Sequence, residues 1–509
     1  MIDRTELSAA VTAPAGAGGT WFGAHLVASA VEAGPRTALV FEGRAWSYAE
    51  LDRAIRRAAA RLRDCGVRPG DRVVLQGAAR PEALFTLFAV ARLGVMAVPL
   101  HPLTTGAELA AVCAEVSPRA VVAGDGWAEH PGPPRLGWAD LGGETGPEWA
   151  PGPAPAGSDV AIIAYTSGTS GRPKGVALTH DNLYWSLLNG MARLPVRGDD
   201  VTLVATPLAH VAVLGGLPQY TWVRRGTVVL APRFDADLFI DLVRDHRVTE
   251  AFAVPAMLAM LARHPRFAGT DLESLRWVLA GGAPAVSATT ARLLDRGIRV
   301  INSYGLTEAS AGVTYAAPDE ISDRPTSAGR PVPHVELRVA GETGDSVPAG
   351  EIGEIWLRGP SVAASYWTPD GPHPATDADG WFHTGDRGRY DAGGRIEVVG
   401  RAKDTVITGG ENVDPAEVEN ALASLPDIVE VAVCGSPDPV WGEVVTAFVV
   451  AGAAGPSLDD IRRHLDGRLA KHKWPRRLRL VAALPRGTTG KLQRNRLAEL
   501  AGSTDPSPA

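Results

Sequence analysis

The stretch YTSGTSGRPKGV, residues 165–176, concentrates hydroxyls, glycines and one lysine in one predicted loop. An apolar run at 160–165 leads into it and VALTH follows it, so the loop is predicted to join two strands. Such a loop can bind phosphate, because glycines let backbone N–H groups converge on an anion while hydroxyls and a lysine add donors and charge. The residues that would do this are Thr166, Ser167, Gly168, Thr169, Ser170, Gly171 and Lys174.

The loop does not match G-x-x-x-x-G-K-[ST], the P-loop pattern of nucleoside triphosphatases. Counting five residues on from Gly168 leads to Pro173, and no Gly-Lys-Ser/Thr follows. On its own the loop therefore indicates phosphate binding only weakly. The alternative is a Ser/Thr/Gly hairpin without a function.

The elements around the loop alternate between helix and strand. A helix is predicted over 49–66, with Leu51, Ile55 and Leu62 on one face and Gly66 at its end. A helix at 82–92 and a strand at 95–99 follow, and further apolar runs lie at 160–165, 201–207, 227–231, 250–255, 277–282 and 299–304. Continuous apolar strands between helices are typical of a parallel sheet buried on both faces. The Pro/Gly-rich stretch 127–157 sustains neither period and is predicted to be a surface connection.

The chain of 509 residues is too long for one core, since single cores stop growing near about 250–300 residues. Helical periodicity disappears over 325–400, where three strand-like runs predict a smaller β-rich region, and a separate small unit begins past Gly400. We therefore predict an α/β fold. Its large N-terminal domain, residues 1–400, has two βαβ subdomains plus a small β-rich subdomain, and its small C-terminal α+β domain spans residues 401–509.

Composition excludes several classes of protein. The formal net charge of −7 gives no electrostatic reason to expect nucleic acid as a partner. The three cysteines lie far apart without a CxxC pair, which argues against a disulfide framework or a zinc site and suits a reducing compartment. The N-terminus lacks the features of a signal peptide, and Arg92 and Gly94 interrupt the most apolar window, 82–100. No membrane span and a cytoplasmic location are expected.

Four further motifs follow the loop in order: NSYGLTE at 302–308, TGD at 384–386, GRAKD at 400–404 and PRGTTGK at 485–491. Together with PGDRV at 69–73 and LGVMAVPLHP at 93–102, they resemble the signature set of the adenylate-forming superfamily. That superfamily includes acyl-CoA synthetases, luciferases and the adenylation domains of nonribosomal peptide synthetases. The resemblance implies that a carboxylate attacks the α-phosphate of ATP to give an acyl-adenylate and pyrophosphate, after which a thiol displaces AMP.

The resemblance implies contacts for the phosphates, the ribose and the adenine of the nucleotide, all of them in the large domain except Arg401. The loop would hold the β- and γ-phosphates, Thr307 would contact the α-phosphate, and Glu308 would bind Mg²⁺. Asp386 would accept hydrogen bonds from the ribose hydroxyls, with Arg401 at the ribose or a phosphate. Tyr304 would stack on the adenine, and the other residues near the adenine or the acyl carboxylate would be Gly282, Ala283, Asn302 and Ser303.

The resemblance also implies that the small domain is mobile and turns between the two steps about a hinge at Lys403. Lys491 would bridge the carboxylate and the α-phosphate during adenylation. After the rotation, Gly409 and Gly410 would leave space for the pantetheine arm of CoA. The basic run KHKWPRR at 471–477 is either a contact for the phosphates of CoA or a solvated face.

The acid is less well defined. His210 matches the edge of the acyl pocket in the superfamily, and its neighbours at 209–214 include no carboxylate to pair with an α-ammonium, which argues against an amino acid. The segments 252–258 and 309–315 are apolar or small, so a fatty, aromatic or polycyclic acid fits. Arg80 remains a candidate partner for a second carboxylate.

Three interpretations follow. The leading one is an acyl-CoA synthetase that uses ATP, Mg²⁺ and CoA. The second is a ligase that loads its adenylate onto the phosphopantetheine of a carrier protein. The third is a degenerate relative that only binds or runs the thioester half-reaction, against which intact Lys174, Glu308, Asp386 and Lys491 argue. The oligomeric state, monomer or homodimer, stays open.

Overall fold

The structure is a computed structural model that describes residues 21–124, 133–150, 152–166, 174–283, 287–408, 411–452, 455–487 and 492–502. Within these ranges the chain alternates between helices and strands as the sequence predicts. The α-helices are Ala24–Glu32, Tyr48–Asp64, Pro81–Arg92, Gly106–Val116, Trp138–Leu141, His180–Met191, Val211–Leu214, Leu217–Val223, Ala236–His246, Pro255–Arg263, Pro265–Gly269, Ser287–Asp295, Pro415–Leu422, Leu458–Leu465 and Arg494–Gly502. No described helix has the length and apolar character needed to cross a membrane.

The largest sheet has nine strands among the described residues. Its six central strands run parallel, and antiparallel strands flank them on both sides. Leu203 and Val204 are neighbours on one central strand and pack into different hydrophobic clusters, so this strand is buried on both faces. In spatial order the strands are Arg330–Pro331, Ala311–Tyr315, Arg299–Leu306, Trp277–Ala280, Glu250–Ala253, Val201–Val204, Thr227–Leu230, Thr37–Phe41 and Arg44–Ser47.

A second sheet has eight strands in the described part of the chain and carries the hairpin around the glycine-rich loop. The two hairpin strands are antiparallel, with Thr166 opposite Lys174, which confirms that the loop joins two strands. The short strand Ser365–Trp367 pairs with the second hairpin strand. In spatial order the strands are His373–Pro374, Ser365–Trp367, Lys174–Thr179, Val160–Thr166, Met96–Leu100, Arg72–Gln76, Ala120–Ala123 and Arg135–Gly137.

The prediction that 127–157 is only a surface connection was wrong in part. Residues Arg135–Gly137 form the edge strand of the eight-stranded sheet, and the helix Trp138–Leu141 follows directly. Trp138 and Leu141 are both buried, and the Trp138 ring lies against Gly77, where a Cβ would approach its Nε1 to 2.9 Å. Tertiary packing of one large aromatic side chain therefore overrides the local Pro/Gly composition.

Two smaller sheets complete the fold. The region 325–400, all of which is described, contains no helix, as predicted, and it supplies the four antiparallel strands of one of these sheets. Its three other strands are short and belong to the two larger sheets. Beyond Arg401 an α+β unit has its own hydrophobic clusters. The strands of the four-stranded sheet are Glu336–Ala340, Gly353–Arg358, Phe382–Tyr390 and Ile396–Arg401. Those of the C-terminal sheet are Glu411–Val413, Val406–Thr408, Gly442–Ala451 and Ile428–Asp438, with Arg477–Leu480 parallel to Gly442–Ala451. The predicted α/β fold class is confirmed.

Candidate active site

The carboxyl edge of the nine-stranded sheet carries the residues predicted near the adenine. Ala280 pairs with Asn302 on the neighbouring parallel strand, and Gly281 and Gly282 continue the chain beyond Ala280. A Cβ on Gly281 would lie 2.6 Å from the Ser303 Oγ, and Gly282 adopts φ +82°, a conformation that favours glycine. Open α/β sheets bind ligands outside the carboxyl ends of their strands, so this edge is the expected position of a site.

Tyr304, Asp386 and Arg401 form one hydrogen-bonded network beside this edge. The Tyr304 hydroxyl donates to Asp386 Oδ2 at 2.7 Å, and Arg401 Nε donates to Asp386 Oδ1 at 2.9 Å. Asp386 and Arg401 lie opposite each other on adjacent antiparallel strands, which sets this geometry. Burial and the nearby Asp386 carboxylate raise the pKa of Tyr304 well above its ordinary value, so the phenol keeps its proton and remains a donor.

Asn302 has a structural contact that sequence reasoning missed. Its side chain is buried, and Nδ2 donates to the carbonyl oxygens of Pro325 and Ser327 at 2.8 and 3.1 Å. Its Oδ1 has no hydrogen-bond partner among the described residues. Ser303 Oγ donates to the Ala280 carbonyl at 3.3 Å. The side-chain nitrogen of Asn302 thus holds the segment 325–327, and its contact with an adenine edge stays a prediction.

Glu308, Lys174 and Tyr366 meet at the other end of the candidate site. Glu308 lies in the 3-10 turn Thr307–Ala309, which directly follows the strand carrying Tyr304. The Tyr366 hydroxyl donates to Glu308 Oε1 at 3.3 Å, and Lys174 Nζ lies 5.2 Å from the centre of the Tyr366 ring. Burial raises the pKa of the Glu308 carboxyl, while the hydrogen bond from Tyr366 acts in the opposite direction.

The donors around Glu308 suit a cation that is shared with phosphate. The described residues contain no group of three or more His, Cys, Asp or Glu side chains arranged to hold a metal ion. Mg²⁺ keeps several waters and takes one or two carboxylates together with substrate phosphates. A single half-buried carboxylate, with one oxygen held by the Tyr366 hydroxyl, therefore fits Mg²⁺ bound together with a nucleotide.

Sequence reasoning missed Tyr366, which lies 58 residues from Glu308 in the chain. Its only local signal was the short aromatic run SYW. The pairing of Tyr366 with Val176 in the eight-stranded sheet brings it beside Lys174, and this pairing cannot be derived from the residues 365–367 alone.

His210 and Arg80, the residues predicted near the acid, lie in different settings. His210 is the N-cap of the helix Val211–Leu214, and its ring lies 6.0 Å from the ring of His101. Sequence reasoning did not single out His101, whose pKa burial lowers. Arg80 Nε donates to Glu82 at 2.7 Å and its side chain is 40% exposed, so its described contact is with an adjacent helix residue.

The predicted residues Ser167, Gly168, Thr169, Ser170, Gly171, Gly409, Gly410 and Lys491 lie outside the described residues. Lys403 is exposed in the 3-10 turn Ala402–Asp404, directly after Arg401. Near this turn the Arg387 guanidinium donates to Thr405 Oγ1 at 3.5 Å. Polar side chains thus connect the four-stranded sheet to the segment that follows the predicted hinge.

Three basic residues of the run 471–477 make contacts within the C-terminal unit. Lys473 Nζ donates to both carboxylate oxygens of Glu417, at 2.6 and 2.8 Å. Arg477 pairs with Asp438 at 3.0 Å, and Arg476 lies 4.0 Å above the Trp441 ring.

The family model for AMP-binding enzymes matches residues 26–367, and the model for the C-terminal domain of AMP-binding enzymes matches residues 417–491. The chain therefore belongs to the AMP-binding enzymes of the adenylate-forming superfamily. This confirms the family resemblance that the ordered motifs indicated.

Relatives extend the match over most of the chain. Feruloyl-CoA synthase from an Amycolatopsis species is 40% identical over 461 residues, which cover 90% of this chain and 94% of that protein. Indoleacetate–CoA ligase from Aromatoleum aromaticum is 36% identical and covers 91% of this chain and 95% of that protein. The structure of o-succinylbenzoate CoA synthetase from Bacillus subtilis with its acyl-adenylate intermediate has a TM-score of 0.84 and 32% identity, covering 93% of this chain and 97% of that chain.

These relatives are acid–CoA ligases, and related structures of the Bacillus enzyme contain ATP with magnesium or AMP. The prediction of an ATP-dependent acid–thiol ligase of the acyl-CoA synthetase type is confirmed, and so is binding of ATP or AMP. The role of each site residue stays a prediction.

Proposed function

We propose that this chain is an AMP-forming acyl-CoA synthetase whose nucleotide site runs from the Tyr304–Asp386–Arg401 network to Glu308 and Lys174. The observation that carries the proposal is that these side chains, far apart in sequence, lie together in this order. Asp386 offers acceptors for a ribose diol, and Glu308 and Lys174 offer a metal ligand and a phosphate contact. A nucleoside triphosphate requires these features in the same order along its length.

In the first step a carboxylate oxygen of the acid attacks the α-phosphorus of ATP. The bond to the bridging oxygen of the β-phosphate breaks, and pyrophosphate leaves with the electron pair. Lys174 and the hydroxyls of its loop hold the β- and γ-phosphates, and Thr307 contacts the α-phosphate. When bound at Glu308, Mg²⁺ supplies positive charge at the phosphate oxygens. Positioning and charge stabilisation, more than a protein nucleophile, carry this step.

The adenosine end keeps AMP in place between the two steps. Asp386 accepts hydrogen bonds from the ribose hydroxyls, Arg401 contacts the ribose or a phosphate, and the Tyr304 ring stacks on the adenine. The edge of the adenine lies near the side chains and backbone of Asn302, Ser303, Gly282 and Ala283.

In the second step the CoA sulfur attacks the acyl carbon of the adenylate, the bond from that carbon to the phosphate oxygen breaks, and AMP leaves with the electron pair while the thiol proton passes to water. We place the domain boundary at 400/401 and the hinge at Lys403, so that rotation of the C-terminal domain brings Gly409 and Gly410 beside the pantetheine arm. The run 471–477 is the weaker candidate for the CoA phosphates, because Lys473 and Arg477 already pair with carboxylates.

The acid that we propose is apolar and carries an aromatic ring, with His210 at the edge of its pocket. Half-buried Ala212, Val254 and Leu306 pack against the hydrophobic cluster that contains Tyr304 and supply apolar walls. The relatives named for feruloyl-CoA and indoleacetate are 40% and 36% identical, and the long-chain-fatty-acid–CoA ligase from Mycobacterium tuberculosis is 33% identical.

A carrier protein is the second candidate for the thiol acceptor. A fatty acid–[acyl-carrier-protein] ligase from Streptomyces coeruleorubidus is 33% identical over 491 residues, covering 91% of this chain and 93% of that protein. Consumption of free CoA distinguishes the two acceptors, since a carrier-specific ligase forms the adenylate without forming acyl-CoA.

Pyrophosphate release with a panel of acids, with and without CoA, tests the proposal. Ferulate, indoleacetate, o-succinylbenzoate and a long-chain fatty acid form the panel, and mass spectrometry detects AMP and the thioester. We expect pyrophosphate with at least one ring-bearing acid and acyl-CoA only when CoA is present. Turnover of synthetic acyl-AMP without pyrophosphate from any acid would favour the half-reaction enzyme instead.

Replacing Lys491 tests the division of labour between the two steps. A cation about 4 Å from a developing negative charge contributes about 4 kcal/mol at an effective dielectric of about 20, or roughly three decades of rate. Lys491→Ala should therefore lower pyrophosphate release by about three decades and leave conversion of supplied acyl-AMP to thioester within about twofold. Equal losses in both half-reactions would contradict this role.

A further inference from the structure

The segment 360–367, which we name the bridging segment, is tied to both sides of the phosphate end of the site. Ala363 N–H donates to the Glu308 carbonyl at 2.7 Å, and Ser310 Oγ donates to the Ser361 carbonyl at 2.9 Å. On the other side, Tyr366 pairs in register with Val176 on the strand that begins at Lys174. The bridging segment therefore connects the turn that carries Glu308 to the strand that carries Lys174.

Tyr366 extends this connection to the functional side chains themselves. Its hydroxyl donates to Glu308 Oε1 at 3.3 Å, and its ring centre lies 5.2 Å from Lys174 Nζ, within the range of a cation–π contact. The ring is half-buried and packs against two hydrophobic clusters, which fixes its position. One rigid side chain with two torsions thus contacts both the carboxylate and the ammonium.

We propose that Tyr366 is a positioning residue for adenylation, which sets the Glu308 carboxylate and the Lys174 ammonium at the spacing that the phosphates of ATP and their metal ion require. This inference rests on the proposed function of Glu308 and Lys174. A hydrogen bond to Oε1 orients the carboxylate and leaves Oε2 for a cation. The ring contact restricts the flexible lysine stem before the phosphates arrive, which reduces the conformational freedom lost on binding.

A role in packing alone is the alternative, and the two roles separate in Tyr366→Phe. Phenylalanine keeps the ring, its packing and its contact with Lys174, and removes only the hydrogen bond to Glu308. Tyr366→Leu removes the hydrogen bond and the aromatic ring together. Tyr390→Phe is the matched control, because the half-buried Tyr390 donates to the Leu337 carbonyl at 2.9 Å in the four-stranded sheet, outside the site.

Calorimetric titration with ATP, in magnesium and in EDTA, tests the proposal. The quantity of interest is the gain in affinity for ATP that magnesium produces, which we call the magnesium gain. It is the dissociation constant in EDTA divided by the dissociation constant in magnesium. Tyr366→Phe should lower this gain about tenfold and leave the dissociation constant in EDTA within about twofold, because only a hydrogen bond to a charged metal ligand is lost. Tyr366→Leu should also weaken binding in EDTA, by about threefold. Tyr390→Phe should change neither value.

A wild-type magnesium gain in Tyr366→Phe would overturn the proposal, as would equal weakening of ATP binding with and without the metal. Absence of ATP binding by the wild-type protein would overturn it too. Thermal unfolding checks that each variant is folded, and Tyr366→Phe retains every carbon of the wild-type ring. Pyrophosphate release by the wild-type enzyme is measured separately. If the protein binds magnesium and ATP but activates no acid, the proposed function is wrong, and the titrations still decide the role of Tyr366.

Discussion

The proposed adenosine end and the proposed phosphate end of the candidate site, which we call the adenosine end and the phosphate end, are organised differently. At the adenosine end Asp386 is held directly by two partners, Tyr304 and Arg401, at 2.7 and 2.9 Å. At the phosphate end Glu308 and Lys174 are connected through a third residue, Tyr366, by a longer hydrogen bond of 3.3 Å and a ring contact of 5.2 Å. The first end is ordered by its own functional groups, and the second by an intermediary.

This difference matches what happens to the two parts of ATP in the proposed reaction. The AMP part of the nucleotide stays bound until the thiol displaces it in the second step, so a network that already fixes the ribose acceptor suits the adenosine end. Pyrophosphate and its metal ion must arrive and leave within each cycle. Contacts through Tyr366 leave one carboxylate oxygen free to bind and release the metal ion, and they leave the lysine protons free to bind and release the phosphates. No short charge-assisted bond between Glu308 and Lys174 has to break first.

Among the residues that order the two ends, removal of the Glu308 charge should give the largest effect, and only at the phosphate end. Glu308→Gln should lower pyrophosphate release by at least about 100-fold, since a group that stabilises charge in the transition state is lost. Binding of AMP should stay within about twofold, because AMP needs no metal at this end. Stopped-time pyrophosphate assays and calorimetry measure the two quantities.

Glu336→Gln is the matched control, because Glu336 pairs with Arg358 at the surface of the four-stranded sheet. A loss of less than about tenfold in Glu308→Gln would contradict the metal-ligand role and would remove the contrast between the two ends.

Removal of the Asp386 charge should give the next largest effect, and it should be independent of metal. Asp386→Asn keeps the shape of the side chain but weakens its bonds to the ribose and to Arg401. The dissociation constants of AMP and ATP should both rise about tenfold, as expected for hydrogen bonds to a charged group. Equilibrium titrations in magnesium and in EDTA should show the same rise. A rise confined to magnesium would show that the two ends are not separate.

The smallest effect on activity should come from Glu250, at the opposite, amino edge of the nine-stranded sheet. Glu250 is fully buried, and burial together with the nearby Asp200 carboxylate raises its pKa to about 8. The folded protein therefore holds this proton more tightly than the unfolded chain. The resulting stabilisation is complete below the unfolded pKa of about 4.5 and is lost as the pH rises through about 8.

Glu250→Gln cannot ionise, so it should gain stability relative to the wild type as the pH rises. The difference in the free energy of unfolding should grow by about 1 kcal/mol per pH unit between about pH 5 and pH 8. Urea unfolding at these pH values measures it, and pyrophosphate release should stay within about twofold of wild type. If the difference in the free energy of unfolding between the variant and the wild type does not change with pH, the proton is held by a group other than Glu250.

Local periodicity predicted most of the fold. The helix predicted at 49–66 is Tyr48–Asp64, and the capping box between Ser47 and Glu50 explains its start. The central strands were readable because a strand buried on both faces is continuously apolar. The prediction of a surface connection at 127–157 was wrong in part because the buried Trp138 specifies structure that its Pro/Gly-rich neighbours do not.

Sequence order predicted the candidate site less completely. The motifs placed Tyr304, Asp386 and Arg401 in one site, and they are hydrogen-bonded to one another. The motifs gave no indication of Tyr366, because its position depends on the pairing of a three-residue strand with a partner far away in the chain. They also gave no sign that the Asn302 amide holds 325–327, since that contact depends on how a loop folds back.

The strand Ser365–Trp367 pairs with Lys174–Thr179, which is synthesised much earlier, and this has a consequence for synthesis of the chain. Until residue 365 has left the ribosome, the strand Lys174–Thr179 has an open edge on the side that Ser365–Trp367 later covers. At synthesis rates of about 5–20 residues per second this interval lasts roughly 10–40 s. A nascent chain paused before residue 365 therefore presents an apolar strand edge as a template for wrong pairing.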